Sequence, residues 1–244
     1  RVASRGLGDV YKRQSQDSSN GAGNAGFRYS QASSNGGDLR FITKAGEELN
    51  YEIANWNTAG ESQVWVRVPS LNDDENVTMY WGNANAGLPA YANNGSTWDD
   101  YFGVYHLEGT AGTATDSSPL SNDLPGVNAP VMVASGLSGV SYSSTSAANN
   151  GFLGSISSHT RGKEGTYTIW ANTPSNPPDW KDFFGLEYNE DSGHRLQMVV
   201  NNASPAKANI FVNGGSSGFS GITNPNDNLG GWQMLTLVIK GGYV

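Results

Sequence analysis

Short runs that alternate apolar and polar residues, with turn residues between them, dominate the chain. Residues 62–69 place a valine at every second position on one face, and residues 233–240 do the same with Leu235, Leu237 and Ile239. This period of two is typical of half-buried β-strands. The pattern predicts strands at residues 38–43, 48–54, 62–69, 76–81, 102–107, 166–171, 183–188, 195–201, 209–212 and 233–240. Their spacing favours antiparallel sheets packed face to face.

Composition shifts divide the chain into three parts. Residues 1–14 contain the string GLGDVYKRQ, which resembles a translated sequencing-adapter tail, and we expect them to be an artefact outside the fold. Residues 15–92 form a compact β module, which ends in a small, polar linker. Residues 93–244 form a second β module. Its last strand is followed by a Gly-Gly hairpin signal, so we expect the module to be truncated.

Charge and cysteine content restrict the function. The 244 residues carry a net charge of −8, which argues against nucleic acid, since phosphate binding needs clustered Lys and Arg. The absence of cysteine excludes disulfides and thiolate metal sites and fits a bacterial extracytoplasmic protein. No apolar run approaches the ~20 residues that span a bilayer.

Four motifs in order carry a first family resemblance. They are FRYSQASSNGGDLRF (27–41), LNYEIANW (49–56), VWVRVP (64–69) and MYWGN (79–83). In this order they resemble a bacterial domain family of unknown function. That family's leading strand would lie where the adapter-like segment sits.

A second resemblance covers the rest of the chain. YFGVYHLE (101–108) followed by DSS (116–118), YTIW (167–170) and GWQMLTLVI (231–239) is similar to laminin-G-like modules. The resemblance implies a concanavalin A-like jelly roll associated with carbohydrate or protein binding. The expected fold class is therefore all-β, with two β-sandwich-like modules of which the second is this jelly roll.

Carboxylates and histidines are the candidate catalytic groups of the chain. Retaining glycosidases need two carboxyls about 5 Å apart, and Glu187, Glu190 and Asp191 are the nearest candidates, but the last two lie in a predicted turn. His106 is expected to share a strand face with Val104 and to be structural. No HExxH or P-loop motif occurs. We expect no enzyme activity.

Loop aromatics and loop carboxylates are the candidate binding residues. Trp180 and Tyr188 are predicted ligand contacts, because aromatic rings stack on sugars, whereas Trp65, Trp170 and Trp232 lie in predicted strands and are expected in the core. A calcium site is predicted from carboxylates on loops of the second module, although Asp116 could instead cap its own turn. The predicted calcium ligands are Asp99, Asp100, Asp116 and Asp123.

The sequence thus predicts a noncatalytic recognition module outside the cytoplasm, in the periplasm, on the cell surface or secreted. Its expected partner is a glycan or an envelope protein. Two alternatives remain open. One is the protein-interaction ectodomain of a TolQ/ExbB-type proton-channel protein, because the two modules also occur together there. The other is a glycosidase or its targeting module.

Overall fold

The computed structural model divides the chain into two compact units, Arg1–Ile156 and Ser157–Val244. The boundary near residue 92 stays a prediction, and hydrogen bonds from Trp98, His106 and Ser117 to Glu52 join residues on its two sides. The structure describes residues 9–14, 27–70, 76–108, 112–136, 139–143, 151–154, 164–173, 181–187, 195–200, 208–213, 219–223 and 230–240.

The described residues of the first unit form short strands and three one-turn 3₁₀ helices. Two three-stranded antiparallel sheets, ordered β1-β5-β4 and β3-β2-β6, form its core. A third sheet has the order β7-β8-β11, and β9 pairs with β10. The strands are β1 (Asp9–Gln14), β2 (Arg40–Ile42), β3 (Glu48–Leu49), β4 (Tyr51–Asn55), β5 (Ser62–Arg67), β6 (Thr78–Tyr80), β7 (Thr113–Ala114), β8 (Leu124–Val127), β9 (Val131–Gly136), β10 (Gly139–Ser143) and β11 (Gly151–Phe152). The 3₁₀ helices are Tyr29–Gln31, Ala90–Ala92 and Ser96–Trp98.

Alternation along these strands builds the core of a small sandwich. Val64 and Val66 of β5 and Val68, directly after it, are almost fully buried, and Tyr51 of β4 has no exposed surface. Phe41 of β2 meets the Tyr51 ring edge-on, with centroids 5.2 Å apart, and so joins the two sheets. The buried cluster contains Phe27, Tyr29, Leu39, Phe41, Leu49, Tyr51, Val64, Val66, Val68 and Ala92.

The predicted strand 48–54 divides at Asn50 and serves both sheets. Leu49 pairs with Phe41 in one sheet, whereas Tyr51 pairs with Val66 in the other. Asn50 supplies the link, since its backbone carbonyl accepts from the Arg67 N–H at 2.9 Å. The predicted alternation therefore holds across the division, and both Leu49 and Tyr51 point into the core.

The edge of β5 is completed by residues 9–14. Strand β1 runs antiparallel to β5, with Asp9 opposite Arg67 and Gln14 opposite Ser62. Strand pairing uses backbone groups alone, so an extended segment of any origin can complete this edge. The artefactual origin of residues 1–14 stays a prediction.

Two expectations for residues 102–152 were wrong. The predicted strand 102–107 is irregular, and Leu107 has a φ of +57°, a conformation that interrupts a strand. The stretch after it, for which no strand was predicted, contains β7 to β11. β7, β8 and β11 have two to four residues, too short for alternation to be recognised, whereas β9 and β10 contain Gly and Ser, which are typical of turns.

Gly95 sets the position of the third 3₁₀ helix. Its φ is +82°, and a Cβ there would lie 2.6 Å from the backbone nitrogen of Pro119. Only glycine fits both constraints. The turn places Trp98, which is 4% exposed, against β4 and β5.

We expect Gly95→Ala to lower the free energy of unfolding of the first unit by about 2 kcal/mol, through left-handed strain and the contact with Pro119. Gly46→Ala is the matched control, because Gly46 has a φ of +89° but no atom within 4 Å of its added Cβ. Gly46→Ala therefore measures the cost of the left-handed conformation alone, and we expect it to lower the free energy of unfolding by about 1 kcal/mol. Chemical denaturation of the full chain measures both, and equal losses would contradict the steric argument.

The second unit contains two antiparallel sheets. Strands β12 and β17 form one pair, and the other sheet has the order β13-β14-β15-β16. On β12 and β17 half-buried and exposed residues alternate, with Tyr167 and Leu237 paired on the half-buried side. Tyr167 meets Phe184 of β13 at a centroid distance of 5.2 Å. The bounds are β12 (Gly165–Thr173), β13 (Lys181–Glu187), β14 (Arg195–Val200), β15 (Ala208–Asn213), β16 (Phe219–Thr223) and β17 (Gly231–Ile239).

The all-β fold class is confirmed by these elements. The described strand pairs are antiparallel, and the helices among the described residues are single 3₁₀ turns. In the part of the chain that the structure describes, no helix has the length and apolar content needed to cross a bilayer.

Candidate functional site

A carboxylate on the outer side of β4 organises the polar part of the first unit. Because Tyr51 and Ile53 point into the core, Glu52 between them points the opposite way. Its Oε1 accepts from the Ser117 hydroxyl at 2.8 Å, and its Oε2 accepts from the Trp98 indole N–H. His106 Nε2 lies 3.3 Å from the same Oε2. We call Glu52, Trp98, His106 and Ser117 the Glu52 cluster.

Aromatic rings cover one side of the Glu52 cluster. Trp65 of β5 is the register partner of Glu52 and stacks on the His106 ring, at a centroid distance of 5.5 Å and an interplanar angle of 21°. Trp98 contacts Trp65 edge-on at 5.4 Å. These rings shield the carboxylate from water, and its side chain keeps 21% exposure.

The electrostatics keep Glu52 ionised. Burial acts to raise the pKa of Glu52, but the hydrogen bond and charge of His106 and the hydrogen bonds from Trp98 and Ser117 outweigh it. The net effect holds the pKa of Glu52 below its ordinary value. Donated hydrogen bonds stabilise the charged form of a carboxylate, which explains the sign.

A cavity of about 140 Å³ lies beside the Glu52 cluster. It is lined by Glu52, Ile53, Ala54, His106, Leu107, Glu108, Thr115 and Ser117. Nucleophilic catalysis by Ser117 would need its hydroxyl hydrogen-bonded to the imidazole. Here Ser117 and His106 both bond to Glu52, so the carboxylate lies between the hydroxyl and the imidazole. The arrangement can tie three chain segments together.

The predicted calcium ligands are divided between two places. Asp99 and Asp100 accept from the Arg67 guanidinium, each at 2.8 Å, and Arg67 also donates to the Ser96 carbonyl at 3.1 Å. This forked pairing offsets one of the two negative charges that would attract a cation.

Asp116 is engaged in its own loop. Its Oδ1 accepts from the N–H groups of Val104 and Ser118, and its Oδ2 accepts from the Asn122 N–H, each at 2.8 or 2.9 Å. Asp123 in turn accepts from the Asp116 N–H at 2.8 Å. This is the turn-capping role considered as the alternative to calcium binding. Among the described residues no three His, Cys, Asp or Glu side chains form a group able to hold a metal ion.

The predicted aromatic ligand contacts, Trp180 and Tyr188, lie outside the described residues. The same holds for Glu190 and Asp191, and for the side chain of Glu187 on β13. Sugar contact by the two loop aromatics stays a prediction.

Trp170 was expected in the core, and this was wrong, because its side chain is 53% exposed. On β17 its register partner Met234 is 42% exposed, and Val238 is 51% exposed. Threonines occupy the neighbouring exposed positions. We call the exposed side of this strand pair the Trp170 face; it consists of Thr166, Thr168, Trp170, Asn172, Met234, Thr236 and Val238.

The sequence reasoning missed Glu52 and Trp98 as well as the Trp170 face. Alternation in ELNYEIA does place Glu52 opposite Tyr51 and Ile53, so its outward direction was available from the sequence. Its partners at residues 98, 106 and 117 were not, because they are 46 to 65 residues away along the chain. His106 was predicted to be structural, and its contacts agree with that role.

Comparison with known families supports part of the sequence interpretation. Residues 35–121 match the model of a family described as a domain of unknown function (DUF2341). The match contains the complete Glu52 cluster and continues past the predicted boundary near residue 92. The resemblance to a domain family of unknown function is thus confirmed at this level. Curated proteins and solved structures gave no significant match.

Proposed function

We propose that this chain is a noncatalytic recognition module that acts outside the cytoplasm and binds a carbohydrate. The observation that carries the proposal is the exposure of Trp170 on a regular sheet. An indole in such a place offers a flat apolar surface with hydroxyl groups beside it. Large exposed apolar groups on soluble proteins often mark interaction sites, and sugars have apolar ring faces rimmed by hydroxyls.

The resemblance of residues 93–244 to laminin-G-like jelly rolls supports the same function. Modules of that class are associated with carbohydrate or protein binding. The antiparallel sheets of the second unit are compatible with such a module. The cysteine-free, acidic composition supports a location in the periplasm, on the cell surface or in the medium.

The Glu52 cluster supports the noncatalytic part of the proposal. Its carboxylate is held ionised by His106, Trp98 and Ser117, and the Ser117 hydroxyl bonds to this carboxylate rather than to the imidazole. A general acid needs a raised pKa, whereas that of Glu52 is lowered.

A glycan array probed with the full chain tests the function. We expect binding to at least one glycan class, because the Trp170 face is open to solvent. Binding to none by a chain with a cooperative thermal transition would contradict the proposal. Polysaccharide hydrolysis that is lost in Glu187→Gln would contradict the noncatalytic part.

The same array in calcium and in chelator tests the metal prediction. Weaker binding in chelator would support a site formed by Asp99, Asp100, Asp116 and Asp123. Equal binding would contradict the predicted calcium site. The four carboxylates would then have only the hydrogen-bond roles within the chain that are described above.

A further inference from the structure

The Trp170 face is regular along its length. Thr166 is opposite Val238, Thr168 is opposite Thr236, and Trp170 is opposite Met234. The two central hydroxyls lie 3.2 Å apart and bond to each other. Threonine and valine have restricted χ1 angles, so most of this surface is held in one shape before any ligand arrives.

The dimensions of the face fit an extended ligand. From Thr166 to Asn172 the strand advances about 20 Å, at roughly 3.4 Å per residue. The described part of the sheet contributes two paired strands to this face. A chain of several sugar rings lying parallel to the strands would cover it, whereas a single sugar would contact only the indole.

Charge identifies the class of ligand. The whole chain has a net charge of −8, yet the seven side chains of the Trp170 face include no charged group. An anionic polysaccharide would find no cation among these seven side chains, and the residues that continue the face at one end, Glu164 and Lys240, carry opposite charges. An uncharged polysaccharide loses no ion hydration when it stacks on Trp170 and bonds to the threonine hydroxyls.

We infer that the Trp170 face binds an uncharged, extended polysaccharide whose axis lies along β12 and β17. The inference rests on the proposed function and names its site and ligand class. Trp170 provides the stacking surface, and Thr166, Thr168 and Thr236 provide hydroxyl contacts to the sugar edges. These residues differ from Trp180 and Tyr188, the ligand contacts predicted from sequence.

Affinity electrophoresis of the full chain tests the inference, with three polysaccharides in the gel: hydroxyethyl cellulose, a soluble β-1,3-glucan and anionic polygalacturonate. We expect retardation by at least one neutral polymer. Trp170→Ala should weaken it by at least about tenfold, as expected for a central aromatic contact. Thr168→Glu should do the same by placing a charge in the middle of the face.

Tyr80→Ala is the matched control, because Tyr80 is a strand aromatic with 56% exposure in the other unit. We expect its retardation to stay within about twofold of the parent chain, since it removes an equally exposed ring elsewhere. Thermal denaturation of each variant confirms folding, and substitution of exposed side chains should leave the transition in place.

The outcomes separate the inference from the proposed function. Neutral-polymer binding that survives Trp170→Ala and Thr168→Glu would overturn the inference and leave the function standing. Stronger retardation by polygalacturonate would overturn the ligand class. Absence of glycan binding by the parent chain would overturn the function itself. A dimer that Trp170→Ala converts to a monomer, without glycan binding, would show that a second copy covers this face and would overturn the inference.

Discussion

Replacing Trp98 with alanine is expected to lower the free energy of unfolding of the first unit by about 4 kcal/mol. The indole is 4% exposed and contacts the rings of Trp65, Tyr101 and His106 at centroid distances of 5.1 to 5.6 Å. Its removal leaves a cavity between β5 and the segment after Gly95. It also removes one hydrogen bond from the Glu52 carboxylate.

Amide hydrogen exchange of β5 measures this loss within the first unit, without requiring the whole chain to unfold in one step. Trp98→Phe separates the two contributions, because it keeps most of the ring packing and removes the N–H donor. We expect it to cost less than half as much as the alanine. Tyr80→Ala, which removes an exposed ring, should leave the exchange nearly unchanged. A similar loss for Tyr80→Ala and Trp98→Ala would contradict the packing argument.

The core of the first unit was largely predictable from its strands. Val64, Val66 and Val68 are each at most 5% exposed, as their alternation with polar residues predicted. Leu49 and Tyr51 were also predicted to share one face, and both are buried. Local periodicity determines these positions, because neighbouring side chains of a strand must point in opposite directions.

The Trp170 face shows where this reasoning fails. In TYTIWA the alternation places Tyr167 and Ile169 on one side of the strand and Thr168 and Trp170 on the other. Both sides carry a large aromatic residue, so the alternation does not determine which side faces the core. Because the indole of Trp170 is large and apolar, the side of the strand that carries it was expected to be buried. The structure instead half-buries Tyr167 and Ile169 and exposes the tryptophan. The two threonines beside Trp170 were the local signal for the exposed side.

The Glu52 cluster could not be predicted, for a different reason. It depends on the irregular segment after Gly95, where positive φ angles and hydrogen bonds to Asp116 fix the path of the chain. No periodic pattern encodes such a path. The position of His106 beside Glu52 therefore follows from tertiary contacts rather than from any spacing in the sequence.

Replacing Glu52 with glutamine is expected to lower the free energy of unfolding of the first unit by about 3 kcal/mol at neutral pH. Both carboxylate oxygens accept hydrogen bonds, from Ser117 on one side and from Trp98 on the other. Glutamine offers one acceptor and one NH₂ group, so it must turn a donor toward one of these donors. Glu47→Gln is the matched control, because Glu47 is exposed, and it should change stability little.

The loss of stability caused by Glu52→Gln should depend on pH, and the direction of the pKa shift of Glu52 determines whether the loss grows or shrinks in acid. The pKa of Glu52 is lowered in the folded chain, so its stabilisation is complete above the unfolded value of about 4.5 and is lost as pH falls through the folded value. The difference between parent and variant should therefore shrink in acid. Asp38 has a lowered pKa too, since N–H donation by Ser33 and Gly82 outweighs its burial, so the variant keeps part of the acid sensitivity. Denaturant titrations between about pH 3 and 7 would measure this, and a difference that grows in acid would contradict the assigned role of Glu52.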